Sequence, residues 1–294
     1  MTTFHSYCIS ASGEEWGQGS ESALFPYWSF TKTAIAICAL KLSENGVLNL
    51  DTTLDGEPFT LRQLLAHTAG LPDYGILKSY HEAVAAGEAP WSRDDLLSAV
   101  MAKGTLFNPG EGWAYSNVGY MLAREHIEAA SGLSFSRLTD EIICQPLGLK
   151  SITLATTPEQ FSRLHCEAAG HYHPGWVYHG CLTGNVPEAA KLLQGLFSGR
   201  LIGAETLAQM QVRYPLGGAI EGRPWTECGY GIGLMMGAMA QAGRAVGHSG
   251  GGPSCVNAVY HFPDVKDPLT VACFTAGSHE GVPEAEAVRL AGER

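Results

Sequence analysis

Positive charge is scarce in this sequence and is nowhere gathered into a cluster. Lys and Arg number 18 against 29 Asp and Glu, a formal charge of −11 with the histidines neutral. Nucleic acids and anionic membranes are bound through a basic face that displaces counterions, so neither is expected as a partner. Small molecules and neutral surfaces remain. Long apolar runs are missing too: none approaches the roughly 18 uninterrupted residues a spanning helix requires. The stretch Met1 to Gly13 has no basic segment followed by an apolar one, so it does not read as a secretory leader, and the expected location is cytoplasmic. Paired cysteines are also absent. The eight present stand singly, without the C-x-x-C spacing of a zinc ribbon or a thioredoxin-type site, and read as small buried hydrophobes in a reducing compartment. Repeats and low-complexity segments are lacking, which excludes solenoids and extended linkers.

What is present is core material. With 45% hydrophobic and 16% charged residues the chain excludes wholesale disorder, and 294 residues predict one domain, 1–294, or two intimately packed lobes. Phe4 to Ala11 reads as a strand, with Glu15 to Gly19 as its turn or partner. Ala34, Ile37, Cys38 and Leu42 recur at helical spacing within 29–45, and Gly46 stands where a terminating glycine belongs. Further helices are predicted over 61–67, from the capping Ser92 onward with Asp94 and Asp95 in the first turn, and over 117–131 closed by Gly132. Helical windows follow at 135–144, 187–197, 205–212 and 282–290. Strands are predicted at 230–236, 244–248, 256–262 and 269–274. Strands at both ends with helices between imply an α/β (α+β) fold: an antiparallel sheet flanked by helices, with an inserted helical lobe. The lobes are placed at 1–58 with 225–294, and at 59–224.

Three short segments carry candidate chemistry. Ser29-Phe30-Thr31-Lys32 puts a hydroxyl and an amine on one helix face within mutual reach, a nucleophile beside a cation or base. The helix start also offers a free N–H and the positive end of a dipole to a developing oxyanion. A helix-start serine and a solvated lysine would give the same pattern. Tyr115-Ser116-Asn117 follows the Asn108-Pro109-Gly110 turn and opens a helix. A nearby Lys32 ammonium would favour the Tyr115 phenolate, and Asn117 could hold Lys32 or a substrate carbonyl, although a core tyrosine with an asparagine cap fits equally. His248-Ser249-Gly250-Gly251-Gly252 ends a predicted strand with backbone that a ligand can approach closely, or forms a glycine-rich hairpin turn.

In this order and at these separations, the three segments resemble the serine β-lactamase and penicillin-binding-protein superfamily, in its class C β-lactamase-like branch. That branch includes family VIII esterases, D-alanyl-D-alanine carboxypeptidases and D-aminopeptidases. The segment from Leu64 to Tyr74, Leu-Leu-Ala-His-Thr-Ala-Gly-Leu-Pro-Asp-Tyr, is similar to the branch's L-L-x-H-T-S-G-L-P, and Pro109-Gly110 before the Tyr115 loop matches as well. The resemblance implies a β-lactamase/transpeptidase-like fold and a serine hydrolase without cofactor or metal. Ser29 would be the acylated nucleophile, Lys32 and Tyr115 the proton-transfer pair, Asn117 the orienting amide, and the N–H groups of Ser29 and Gly251 the oxyanion hole. Either Lys32 or Tyr115 would take the serine proton. Ser249 and Gly250 would lie along the substrate.

Two departures stand out. His248 occupies the place of a lysine in many members. A histidine is mostly neutral above about pH 6.5, so a carboxylate-bearing penicillin or D-Ala-D-Ala substrate is less expected than a neutral ester or amide, and turnover of an anionic substrate should decline as the imidazole loses its proton. Ser29 also arrives after only a short lead-in, so abbreviated opening strands and a less covered sheet edge are expected. His165, Cys166, His171, His173, His179 and Cys181 match no standard metal spacing. By the order of segments, the resemblance implies that Tyr172, His173, Trp176 and Tyr178 shape the substrate cleft. The expected activity is hydrolysis of a small ester, amide or peptide. A true β-lactamase or D-Ala peptidase, and a penicillin-recognising protein without turnover, are the alternatives.

Overall fold

The computed structural model describes residues 3–166 and 172–293. Eight strands form one antiparallel sheet: β1 (Phe4–Ser10), β2 (Glu15–Gln18), β6 (Tyr214–Gly217), β7 (Trp225–Tyr230), β8 (Met235–Met239), β9 (Gly243–Gly251), β10 (Cys255–Phe262) and β11 (Leu269–Ala276). Their spatial order is β2-β1-β11-β10-β9-β8-β7-β6, so the two ends of the chain meet where Phe4 to Ser10 pairs with Thr275 to Leu269. Short strands β3 (Leu24–Pro26), β4 (Thr153–Ala155) and β5 (Cys181–Asn185) make a second sheet, ordered β3-β5-β4.

The central strands are buried on both faces because alternate side chains enter two different cores. Ala258, Tyr260 and Val271 join the C-terminal helix Gly281–Gly292 through Ala287, Val288 and Ala291. Val259, Ala272 and Phe274 face the other way, into a core shared with the helices Thr31–Glu44 and Val186–Phe197. The helix Thr31–Glu44 is buried from Thr31 to Leu40 and, after the polar Thr31, Lys32 and Thr33, is apolar around its whole circumference from Ala34 to Leu40, as a helix at the centre of a domain must be. The helical part packs on its far side through helices that include Leu61–Leu65, started by a Thr60/Gln63 capping box, and Asn117–Ser131, capped by Ser116 and ended by left-handed Gly132.

Several expectations shift. Within the span assigned to the helical lobe, β6 pairs with β7, and the amphipathic helix Val186–Phe197 lies against β1, β10 and β11. The window 230–236 is not one strand: Tyr230 ends β7, Met235 and Met236 begin β8, and 231–234 form the turn between them. Gly233 takes φ +68° there, and a Cβ would stand 2.4 Å from the Ala36 side chain, so the turn is docked on the buried helix. Local apolar composition cannot distinguish a strand from a turn pressed into a core. β1 is a full seven residues, and the four-residue β2 forms that sheet edge. The helix Lys78–Ala85 and the short strands β3 to β5 had no periodic signal long enough to read. All eight cysteines are buried free thiols. No helix among the described residues is long and apolar enough to cross a membrane.

Candidate active site

The three segments converge at the end of the buried helix. Ser29 sits in the tight turn Trp28–Phe30 that runs into the helix Thr31–Glu44, so the first N–H groups there lack the partners of a helix interior. Trp28 immediately before it has φ +46°, a left-handed conformation that costs of order 1–3 kcal/mol in a non-glycine residue. It is held by packing. The indole lies against Phe161 and Tyr172 and directly over Gly252, where a Cβ would meet ring atoms at 2.4 Å. A Cβ on Gly250 would likewise stand 2.6 Å from the Tyr27 carbonyl. These glycines let β9 lie flush on the turn that holds Ser29. Gly252→Ala is therefore expected to move Trp28 and Ser29, lowering stability by about 1–3 kcal/mol together with the acylation rate; thermal unfolding and single-turnover acylation check both.

Ser29 Oγ lies 3.1 Å from Lys32 Nζ and accepts a hydrogen bond at 2.8 Å from Tyr115 Oη. Lys32 Nζ also donates to Asn117 Oδ1 at 2.6 Å and lies 3.3 Å from His179 Nε2. Lys32 is fully buried, and that burial pulls its amine down to about 7, against the opposing pull of Asp73. Tyr115 moves the other way. Burial raises its phenol well above 10 although the Ser29 contact favours ionisation, so the phenolate expected from Lys32 alone gives way to a neutral hydroxyl.

Asp73 is the residue sequence reasoning passed over. Its carboxylate accepts from the backbone N–H of Asn117 at 2.8 Å and from Asn117 Nδ2 at 3.1 Å, which fixes the amide so that its oxygen faces Lys32. Asp73 closes the Leu-Pro-Asp segment quoted above, so the signal was on the page without a role attached. The same segment holds the loop together: His67 Nδ1 accepts from the Ser116 N–H at 3.1 Å, and Ser116 Oγ donates to the Pro72 carbonyl at 2.9 Å.

Gly251 stands opposite Val256, a pair flanked by the bond from the Gly252 N–H to the Cys255 carbonyl, so the Gly251 N–H turns away from β10. On that side β8 has already ended, its last partner being Gly247. Ser29 and Gly251 line the same cleft, with a free strand edge facing a helix start. His248 is not a surface cation. Its ring is buried, Nδ1 donates to the Ser249 carbonyl, and Nε2 must then accept from Tyr230 Oη at 2.9 Å. Burial and the Lys32 charge push the imidazole down to about 3. It stays neutral throughout the working range, which sets aside the titration expected from its sequence position. His248→Gln should leave the pH profile of turnover unshifted, and a displaced limb would refute this assignment.

Tyr172 and Trp176 line an apolar cleft beside Ser29 with Trp28, Tyr74 and Tyr80. Its walls interlock: Tyr80 and Tyr172 hydroxyls meet at 3.0 Å, and Trp176 packs edge-on to Tyr80. Tyr178 packs behind, against Tyr74 and Trp176. His173 does not shape that wall, because its Nδ1 accepts from the Gly175 N–H at 2.9 Å and caps the turn. Ser249 lines the cleft that also holds Ser29 and Gly251, with its Oγ donating to Glu284 and lying 2.7 Å from Tyr260 Oη. Of the remaining histidine and cysteine cluster, His165 packs edge-on to His5 and tilted against Phe25, Cys166 is a buried thiol, Cys181 begins β5 and His171 lies outside the described residues.

The family model named Beta-lactamase matches residues 5–293. The chain belongs to the beta-lactamase family. Among family relatives, a penicillin-binding protein of Bacillus subtilis (strain 168) is 28% identical, over 84% of this chain and 60% of its own length. The D-alanyl-D-alanine-carboxypeptidase/endopeptidase AmpH of Escherichia coli (strain K12) is 30% identical over 46% of this chain and 38% of its own. The chain thus spans at most about 60% of the length of these two curated relatives. The D-amino acid amidase from Ochrobactrum anthropi SV3 superposes with a TM-score of 0.80 at 21% identity, covering 99% of this chain and 94% of that one. The beta-lactamase family fold thus extends through the whole chain, with the antiparallel sheet and helices arranged as described.

Proposed function

We propose that this beta-lactamase-family protein is a serine hydrolase that cleaves a small ester or amide through an acyl enzyme on Ser29. The observation that carries the reading is the position of Ser29 Oγ between Lys32 Nζ at 3.1 Å and Tyr115 Oη at 2.8 Å. With its amine near 7, Lys32 is substantially neutral at physiological pH and accepts the Ser29 proton as Oγ attacks the substrate carbonyl. The N–H groups of Ser29 and Gly251 receive the oxyanion. As the scissile C–O or C–N bond breaks, the leaving group takes a proton from the Tyr115 hydroxyl, and the proton held by Lys32 restores that hydroxyl. Water then repeats the sequence in reverse and frees Ser29. The names of AmpH and the D-amino acid amidase describe amide cleavage, which agrees with an amide as the bond broken. A neutral imidazole at His248 gives no permanent cation for a substrate carboxylate, which supports neutral esters and amides over β-lactams and D-Ala-D-Ala peptides.

The test is a panel of a short-chain nitrophenyl ester, a D-amino-acid amide and a chromogenic cephalosporin, followed by intact mass. The expected result is a transient adduct and turnover for the ester or the amide. An adduct that persists for hours with every substrate would identify a binding protein without turnover, and no adduct with any of them would remove the nucleophile.

A further inference from the structure

Two clefts meet at Ser29, Asn117 and Gly251. One is the aromatic cleft described above; the other is lined by Arg223, Glu280, His248, Tyr230 and Trp113. The second contains an unequal charge network. Arg223 donates from Nε to Glu284 Oε2 at 2.8 Å, from a terminal nitrogen to Glu284 Oε1, and from the other terminal nitrogen to Glu280 Oε2 at 2.8 Å. All three guanidinium nitrogens are thereby engaged. Glu284 is fully buried, and its Oε1 also takes bonds from Ser249 and Trp225, so its charge is compensated from several sides. Glu280 has no such company. Its side chain keeps 33% exposure to the cleft, and Oε1 takes no hydrogen bond from a described residue. That oxygen would stand 3.0 Å from a Cβ built on Gly251.

A carboxylate compensated on only one oxygen, by Arg223, therefore sits beside the glycine whose N–H faces the reacting carbonyl. Left alone it would oppose the negative charge that develops there; a cation on the substrate removes the opposition and supplies a charge-assisted hydrogen bond. Burial raises the Glu280 carboxyl against the opposing pull of Arg223. Lys32, another basic group close by, is buried beneath and committed to Ser29 and Asn117.

We propose that Glu280 is a specificity residue that receives a protonated amine of the substrate, so that the preferred ester or amide carries an apolar or aromatic arm and an ammonium group on the two sides of Ser29. This rests on the reading of Ser29 as the acylated nucleophile, and the test separates the two. Binding is measured by calorimetry on Ser29→Ala, which needs no turnover, with 3-phenylpropylammonium, 3-phenylpropanol and 3-phenylpropanoate as probes of one size and three charges. The ammonium should bind about five- to tenfold more tightly than the alcohol, with the carboxylate weakest. Adding Glu280→Gln should reduce that ratio to about one, while alcohol binding by the same double variant reports that the clefts are intact. In the Ser29-bearing protein the ammonium should slow fluorophosphonate labelling. Equal binding of ammonium and alcohol, no measurable ammonium binding, or a ratio that survives Glu280→Gln overturns the proposal. Failure of the probe to label Ser29 while the ammonium preference persists would instead remove the hydrolase reading alone.

Discussion

Ser29→Ala is expected to lose at least about ten-thousand-fold in turnover and all labelling by a fluorophosphonate, while folding as the parent does. The size of the effect follows from the chemistry assigned to one atom. Without Oγ there is no acyl enzyme, and what remains is whatever the N–H groups of Ser29 and Gly251 give to direct attack by water. The substitution removes a hydroxyl that bonds Lys32 and Tyr115, so those two groups are left facing one another across a small gap rather than losing apolar packing. Intact mass after incubation with a nitrophenyl ester checks the loss, and an adduct on the variant equal to that on the parent would place the nucleophile elsewhere.

The second large effect concerns Lys32. Lys32→Met should reduce acylation by about a thousandfold, since the general base is lost while the buried stem is filled by a side chain of similar length. In the parent protein acylation requires the neutral amine, so its rate should rise as pH passes upward through about 7. It should then hold until Tyr115 ionises, above the ordinary tyrosine range. The sign of the Asp73 contribution gives a sharper check. Asp73 favours the charged amine, so Asp73→Asn should move the rising limb to lower pH, and the loss of the Asn117 anchor should lower kcat about ten- to a hundredfold. A limb that stays in place would mean that Asp73 holds the loop without tuning the lysine. Single-turnover kinetics between pH 5 and 10, on parent and variant, distinguish these outcomes.

The legible parts of the molecule were those written in short range. Gly46 and Gly132 end helices, Ser92 and Ser116 cap them, and Ser29 with Lys32 share one face because a helix repeats every three to four residues. Those local rules, together with four ordered segments, were enough to bring Ser29, Lys32, Tyr115 and Asn117 into one site. Other features depended on what lies across the fold. The window 230–236 looked like one continuous strand because the turn over 231–234 that joins β7 to β8 is itself apolar and pressed onto the helix Thr31–Glu44, a contact between residues 200 positions apart, where Thr33 Oγ1 donates to the Gly233 carbonyl. The protonation of His248 depended on burial and on the Lys32 charge, neither of which the tripeptide His-Ser-Gly reveals.

The sequence by itself determined which groups this protein can bring to a reaction: one serine spaced from one lysine on a helix, one tyrosine and asparagine on a capped loop, and a glycine-rich strand end without a permanent cation. Scarce and scattered positive charge already disfavoured nucleic acids and anionic surfaces. Tertiary structure alone decided the state of those groups. Burial of Lys32 brings its amine to about 7, burial of His248 keeps it neutral, and the fold sets Glu280 beside Gly251 with only part of its charge answered by Arg223. The physical reason is that charge in a protein is set by the solvent removed and the partners supplied, and both come from segments far away in the chain.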